Sequence, residues 1–167
     1  KIGIFSFYAT KLMTSGGQGG MIVSKDRNLI DEIRDYREFD CRKDHKKRFN
    51  FQMTDLQAAI GRVQLRKLPS FLKRREEIFE RYRLNLPMLD IADGDRLKLQ
   101  SSHYRAVLRT KIPRQIIDDL AEKKIKTIIP IEDWELLGPS SSFPNAYNLT
   151  QTTLSLPIYP SLTDKEV

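Results

Sequence analysis

Apolar residues follow two rhythms along this chain, and the changes of rhythm mark its elements. Residues 2–8, Ile-Gly-Ile-Phe-Ser-Phe-Tyr, form a dense apolar run that predicts a mostly buried strand. Residues 20–24 predict a short second strand, with a loop of glycines and small residues between the two. Over 27–38 the spacing becomes helical. Leu29, Ile30, Ile33 and Tyr36 share one face, and Asp26 stands where it can cap the first turn. A second helix starts at Thr54-Asp55-Leu56-Gln57, a pattern in which the threonine and glutamine side chains reciprocally satisfy backbone N–H groups. Leu56, Ile60, Val63, Leu68, Phe71, Ile78, Phe79 and Tyr82 then recur at roughly helical spacing. Pro69 lacks an N–H and crowds the preceding turn, so a kink is expected, or two helices meeting near Leu68. Pro87 ends the helical region, and a connecting stretch follows over 90–98.

Further on, residues 103–109 and 125–131 predict strands. Pro113 opens a helix between them, with Ile116, Ile117 and Leu120 turned inward. That order predicts a β-α-β arrangement and a small α/β or α+β domain. Residues 138–150, rich in Gly, Pro, Ser and Asn, predict a loop. Thr163 to Val167 read as the first turn of a helix capped by threonine.

Composition narrows the class. The chain has 167 residues, 40% hydrophobic and 31% charged, which suits one domain or parts of two and excludes disorder. No apolar run approaches the roughly 20 residues of a spanning helix, and no signal-peptide pattern is present. Cys41 is the single cysteine, so no internal disulfide forms. With His45 and His103 as the only histidines there is no metal cluster, and a reducing, cytoplasmic setting fits. The net charge of +7 points to an anionic partner. It is concentrated in the loop-like run Arg42-Lys43-Asp44-His45-Lys46-Lys47-Arg48, whereas Lys73-Arg74-Arg75-Glu76-Glu77 alternates in sign and reads as a solvated helix face.

One residue stands out chemically. Lys11 lies between the first strand and the glycine loop Gly16-Gly17-Gln18-Gly19-Gly20. Glycines let a backbone approach a ligand closely, and successive N–H groups can hold an anion. Lysine there can bind phosphate or, unprotonated, form a Schiff base. Spacing alone leaves a solvated lysine equally open.

Four separated segments carry a resemblance: Ser6-Phe7-Tyr8-Ala9-Thr10-Lys11 with its glycine loop, Phe49-Asn50-Phe51-Gln52-Met53-Thr54-Asp55-Leu56-Gln57-Ala58-Ala59-Ile60-Gly61, Arg74-Arg75-Glu76-Glu77-Ile78, and Leu154-Ser155-Leu156-Pro157-Ile158-Tyr159-Pro160. Together they resemble the pyridoxal-phosphate-dependent sugar aminotransferases of the DegT/DnrJ/EryC1/StrS family. The resemblance implies an α/β fold of the type I transferases. Residues 1–50 would end the large cofactor-binding domain, and residues 51–167 would form a long helical segment and most of the small C-terminal domain. It implies pyridoxal 5'-phosphate as cofactor, Lys11 as the Schiff-base lysine and Ser6 as a ligand of the cofactor phosphate. Asn50 would reach the phosphate in a neighbouring subunit, which implies a homodimer. The substrates would be an amino acid, glutamate in the leading reading, and a nucleotide-linked keto sugar.

Lysine rather than histidine at position 11 favours transamination over dehydration. Two positions depart from the family pattern: Gln18 where an acid is common, and Gln52 where arginine is common. The carboxylate that usually meets the pyridine nitrogen precedes the lysine in the family, and none of the ten residues before Lys11 is acidic. The resemblance therefore implies a chain without the first half and the final helix of the enzyme, inactive alone. Within it, Lys46, Lys47 and Arg48 are candidates for binding a diphosphate, against a solvated loop. The alternative reading is a non-catalytic basic binding module derived from this fold. Nucleic acid is a minor option, because no aromatics interleave with the charges.

Overall fold

The computed structural model describes residues 1–86 and 101–167, so the expectations at Pro87 and over 90–98 lie outside the described residues. The chain divides into two compact units, Lys1–Pro69 and Ser70–Val167.

In the first unit, β1 (Ile2–Ser6) and β2 (Gly20–Ser24) form an antiparallel hairpin in which Ile2 faces Ser24 and Ser6 faces Gly20. The ladder runs on beyond both strands: Phe7 N–H donates to Gly19 O at 2.8 Å and Ala9 N–H to Gly17 O at 2.9 Å. The first strand is not buried as expected. Phe7 is buried, but Ile2, Ile4 and Phe5 are exposed, Ile4 at 76%. A two-stranded ribbon has two apolar faces and needs a layer against each to hide them. α1 (Arg27–Tyr36) packs beside β2. Its first turn is capped as the sequence predicts, with Asp26 Oδ1 accepting from Leu29 N–H at 3.2 Å.

α2 spans Asp55–Asn85. Thr54 Oγ1 accepts from Gln57 N–H at 3.3 Å and Gln57 Oε1 accepts from Thr54 N–H at 3.0 Å, which is the predicted reciprocal cap. The helix passes through Pro69 as one element rather than two. Proline removes one intrahelical bond, but the turns on either side keep theirs, and burial of Ile78, Phe79 and Tyr82 anchors the later turns.

The second unit is built around those three residues. They pack with Ala106 and Leu108 of β3 (Ala106–Arg109), Leu154 of β4 (Thr153–Leu156), and Ile158 and Leu162. β3 and β4 are antiparallel, Val107 facing Ser155. The strand expected over 125–131 is reduced to one bridge, Ile128 on Ser155. Pro130 has no N–H with which to extend that pairing. Ile128 and β3 both run antiparallel to β4, on its opposite edges, so the expected β-α-β order around α3 is present in a split form with β4 between its two strands. The strand expected from residue 103 begins only at Ala106, because His103 adopts a left-handed φ of 43°.

α3 (Pro113–Glu122) matches its prediction, with Ile116, Ile117 and Leu120 half-buried. α4 (Pro144–Thr152) occupies much of the expected 138–150 loop. Pro144 stands in its first turn, where a missing N–H costs the helix nothing and the fixed φ favours it. At Thr163 the expected cap closes a single turn: its N–H and hydroxyl both donate to Glu166 Oε2.

Arg75 is the exception to the reading of 73–77 as a solvated face, which Lys73, Glu76 and Glu77 follow by being exposed. It is 8% exposed, and its Nη1 donates to His103 O at 3.1 Å, Tyr104 O at 3.3 Å and Ile158 O at 2.8 Å. Nearby, Tyr82 Oη donates to Pro157 O at 2.8 Å. Burial pushes the Arg75 guanidinium down from its ordinary value, yet arginine starts so high that it keeps its charge. The segments 74–78 and 154–160, distant in sequence, thus meet through side chain and carbonyl.

Candidate functional site

Ser6, Lys11 and Asn50 all belong to the first unit. Ser6 ends β1 on the face it shares with Ile2 and Ile4, as alternation along a strand requires. Its Oγ accepts a long 3.4 Å bond from Tyr8 N–H, and the hydroxyl retains a proton to donate. The chain then turns over Tyr8–Lys11, closed by Lys11 N–H donating to Tyr8 O at 2.9 Å. Lys11 is exposed at the closed end of the hairpin. Ser6 and Lys11 therefore sit on one hairpin arm, separated by a single tight turn.

The glycine loop is anchored from beneath. Ser15 is fully buried; its N–H donates to Phe7 O at 3.1 Å and its Oγ to Gln18 O at 2.9 Å. Gln57 Nε2, from the first turn of α2, donates to the same carbonyl at 3.3 Å. So Gln18 contributes its backbone oxygen to the scaffold, while its side chain is exposed. Gly16, at φ 84°, lies where a Cβ would stand 2.9 Å from Ile60 Cδ1 of α2. Gly17, at φ 134°, has open space where a side chain would stand. Both conformations favour glycine, and the second leaves the backbone of the loop approachable.

Asn50 is held by a different device. Phe49 N–H donates to Tyr36 O and Phe51 N–H to Arg37 O, both at 3.0 Å, which ties this segment to the end of α1. The Phe49 and Phe51 rings are stacked, centroids 5.1 Å apart and 2° from parallel, and the Tyr36 ring leans on Phe49 at 5.1 Å. Asn50, between them in sequence, is exposed, and its Oδ1 accepts from Gln52 N–H at 3.5 Å.

The basic loop is not the open cationic surface its sequence describes. The Arg48 side chain is 4% exposed. Its Nε and Nη2 donate to Asp35 at 2.9–3.1 Å, and Nη1 and Nη2 to Asp44 at 2.6 and 3.0 Å. Arg42 Nε lies 3.6 Å from Asp35. The Arg48 bonds hold the Asp44 carboxyl well below the usual carboxylate range, and the two carboxylates push the Arg48 guanidinium up. Arg48 is thus withdrawn from the candidates for diphosphate binding, whereas Lys46 and Lys47 are exposed. Reading charges in a row missed this node. The aromatic triplet Tyr36, Phe49 and Phe51 was the available signal, since it marks a segment that folds back on α1.

A profile of the DegT/DnrJ/EryC1/StrS aminotransferase family matches residues 1–167. The chain belongs to this family. The Bacillus subtilis spore coat polysaccharide biosynthesis protein SpsC is 31% identical over 98% of this chain and 50% of its own length. A Saccharopolyspora spinosa dTDP-4-dehydro-2,3,6-trideoxy-D-glucose 4-aminotransferase is 30% identical over 98% of this chain and 49% of its own. Among solved structures, S. venezuelae DesV in complex with a ketimine intermediate superposes with a TM-score of 0.86 at 25% identity, covering 99% of this chain and 48% of that one. The chain spans about half the length of the curated relatives it matches. Among the described residues no helix is long and apolar enough to cross a membrane.

The family depends on pyridoxal phosphate, and the residues present fit one end of that cofactor. Lys11 carries an exposed amine of the kind an aldehyde needs, the Ser6 hydroxyl has a proton to donate to an oxyanion, and the backbone at Gly17 is open.

Proposed function

We propose that this chain is part of a cytoplasmic, pyridoxal-phosphate-dependent aminotransferase that moves an amino group from an amino acid, glutamate in the leading reading, to a keto sugar carried on a nucleotide. The observation that carries the reading is Lys11 presented at a hairpin tip, directly before an anchored glycine loop, in a chain that matches the family from end to end.

Each residue has a defined task in this reading. Lys11 Nζ would hold the cofactor by its aldehyde and, as a free amine, would move a proton at the substrate carbon. When bound, pyridoxal phosphate supplies the electron sink that makes that proton acidic. Ser6 Oγ donates to the phosphate and so fixes how the ring lies relative to Lys11. Asn50 reaches the phosphate held by a second copy, so two subunits complete each other's sites in a symmetric pair. In this reading residues 1–50 end the large domain, and residues 51–167 form the long helical segment and most of the small domain.

Borohydride reduction in the presence of pyridoxal phosphate, followed by peptide mapping, tests the lysine. Label is expected on Lys11, with the Lys11→Ala variant unlabelled. Label spread over several surface lysines in both proteins would remove the assignment.

A further inference from the structure

The node of Arg48, Asp35 and Asp44 has no task in the reading above, yet Arg48 donates five hydrogen bonds to the two carboxylates. Asp35 belongs to the last turn of α1 and Asp44 to the loop that follows. One planar guanidinium bridges both carboxylates, and lysine could not reproduce that geometry with its single ammonium. Immediately after Arg48 come the two stacked phenylalanines, and between them Asn50. Along an extended segment successive side chains point to opposite sides. With Phe49 and Phe51 stacked and held at Tyr36, Asn50 between them is turned to solvent.

Three layers enforce that direction: the backbone bonds from Phe49 and Phe51 to α1, the aromatic stack, and the ionic node that fixes the residue before them. Lys47 adds a fourth contact, its Nζ lying 5.4 Å from the centre of the Phe49 ring.

We propose that Arg48 is a positioning residue: by tying Asp35 to Asp44 it holds the aromatic clip that presents Asn50 to the cofactor phosphate of a partner subunit. The proposal rests on the assignment of Asn50 made above. Arg48 touches neither cofactor nor substrate; it acts through the segment 49–51.

The test is a double-mutant cycle in the holoenzyme, read as the dissociation constant for pyridoxal phosphate in a titration of the apoenzyme. Asn50→Ala is expected to weaken binding, and Arg48→Met and Asp44→Asn to weaken it by roughly tenfold, as loss of a supporting residue at a ligand site does. In the Asn50→Ala background the Arg48 and Asp44 changes should add nothing further, because what they position is gone. Arg48→Lys should recover part of the affinity. Asp44→Asn removes one exposed charge without opening a cavity, so it covers the case in which Arg48→Met does not fold. Hydrogen exchange at the Phe49 and Phe51 amides, which needs no cofactor, should quicken in both variants. If Asn50→Ala weakens binding while the Arg48 and Asp44 variants bind normally, or if their losses add fully to that of Asn50→Ala, the role of Arg48 is overturned and that of Asn50 survives. If Asn50→Ala leaves the affinity unchanged, the Asn50 assignment falls, and with it the task given to Arg48.

Discussion

At the scale of single residues, the candidate site is a loop supported more tightly than its composition implies. Gly19 is the example. A Cβ there would overlap the Ser15 hydroxyl and approach Met53 Cε at 3.0 Å. Ser15 is itself buried and bonded to the loop, so it has nowhere to retreat. Gly19→Ala is therefore expected to destabilise the first unit by about 1–3 kcal/mol, the usual cost of overpacking, measured by urea unfolding. Unchanged stability would mean that the loop relaxes freely. That Lys11 and Ser6 share one hairpin arm was legible from sequence, because they lie close along the chain. Arg48 was not, because a run of charges carries no record of which one is turned inward.

Elements were legible where their signals are local. The Asp26 cap, the Thr54–Gln57 pair and Pro113 each act within one turn, and each stands as predicted. Errors arose where a residue type has two meanings. Pro144 begins a helix instead of marking a loop, and Pro130 cuts a strand to one bridge. Arg75 is the clearest case, since charge alternation along α2 placed it in water. Its burial follows from carbonyls of residues far away in sequence, which no periodicity can register. Arg75→Met is expected to cost the second unit about 3 kcal/mol, because three carbonyls lose a charged donor together. Arg75→Lys should rescue only part of this, and chemical denaturation of both variants measures it. A loss below that of an ordinary surface substitution would mean that water replaces the guanidinium.

At the scale of the whole molecule, acidic groups shape the response to pH. Asp44 is held low by Arg48, Asp164 by Arg74 and, less, Arg81, and Glu166 by the Thr163 hydroxyl and N–H. A carboxyl lowered by folding contributes stability that is complete above its unfolded value and is lost as pH falls through its folded one. The difference in thermal midpoint between the native chain and Asp164→Asn should thus stay constant above about pH 5 and close below about pH 3. A difference that instead changed between neutral pH and pH 5 would mean that Asp164 is not the group responsible. The fold-level reading found the β-α-β order around α3 and missed one strand: β4 lies between β3 and Ile128. That arrangement has a consequence for synthesis. β3 leaves the ribosome first and must wait through α3, the turn at 133–135 and α4 before the strand that pairs with it exists. Arg75 waits longer still, for Ile158. The second unit therefore cannot close progressively as it is made; its sheet and its buried arginine are completed together, in one late step.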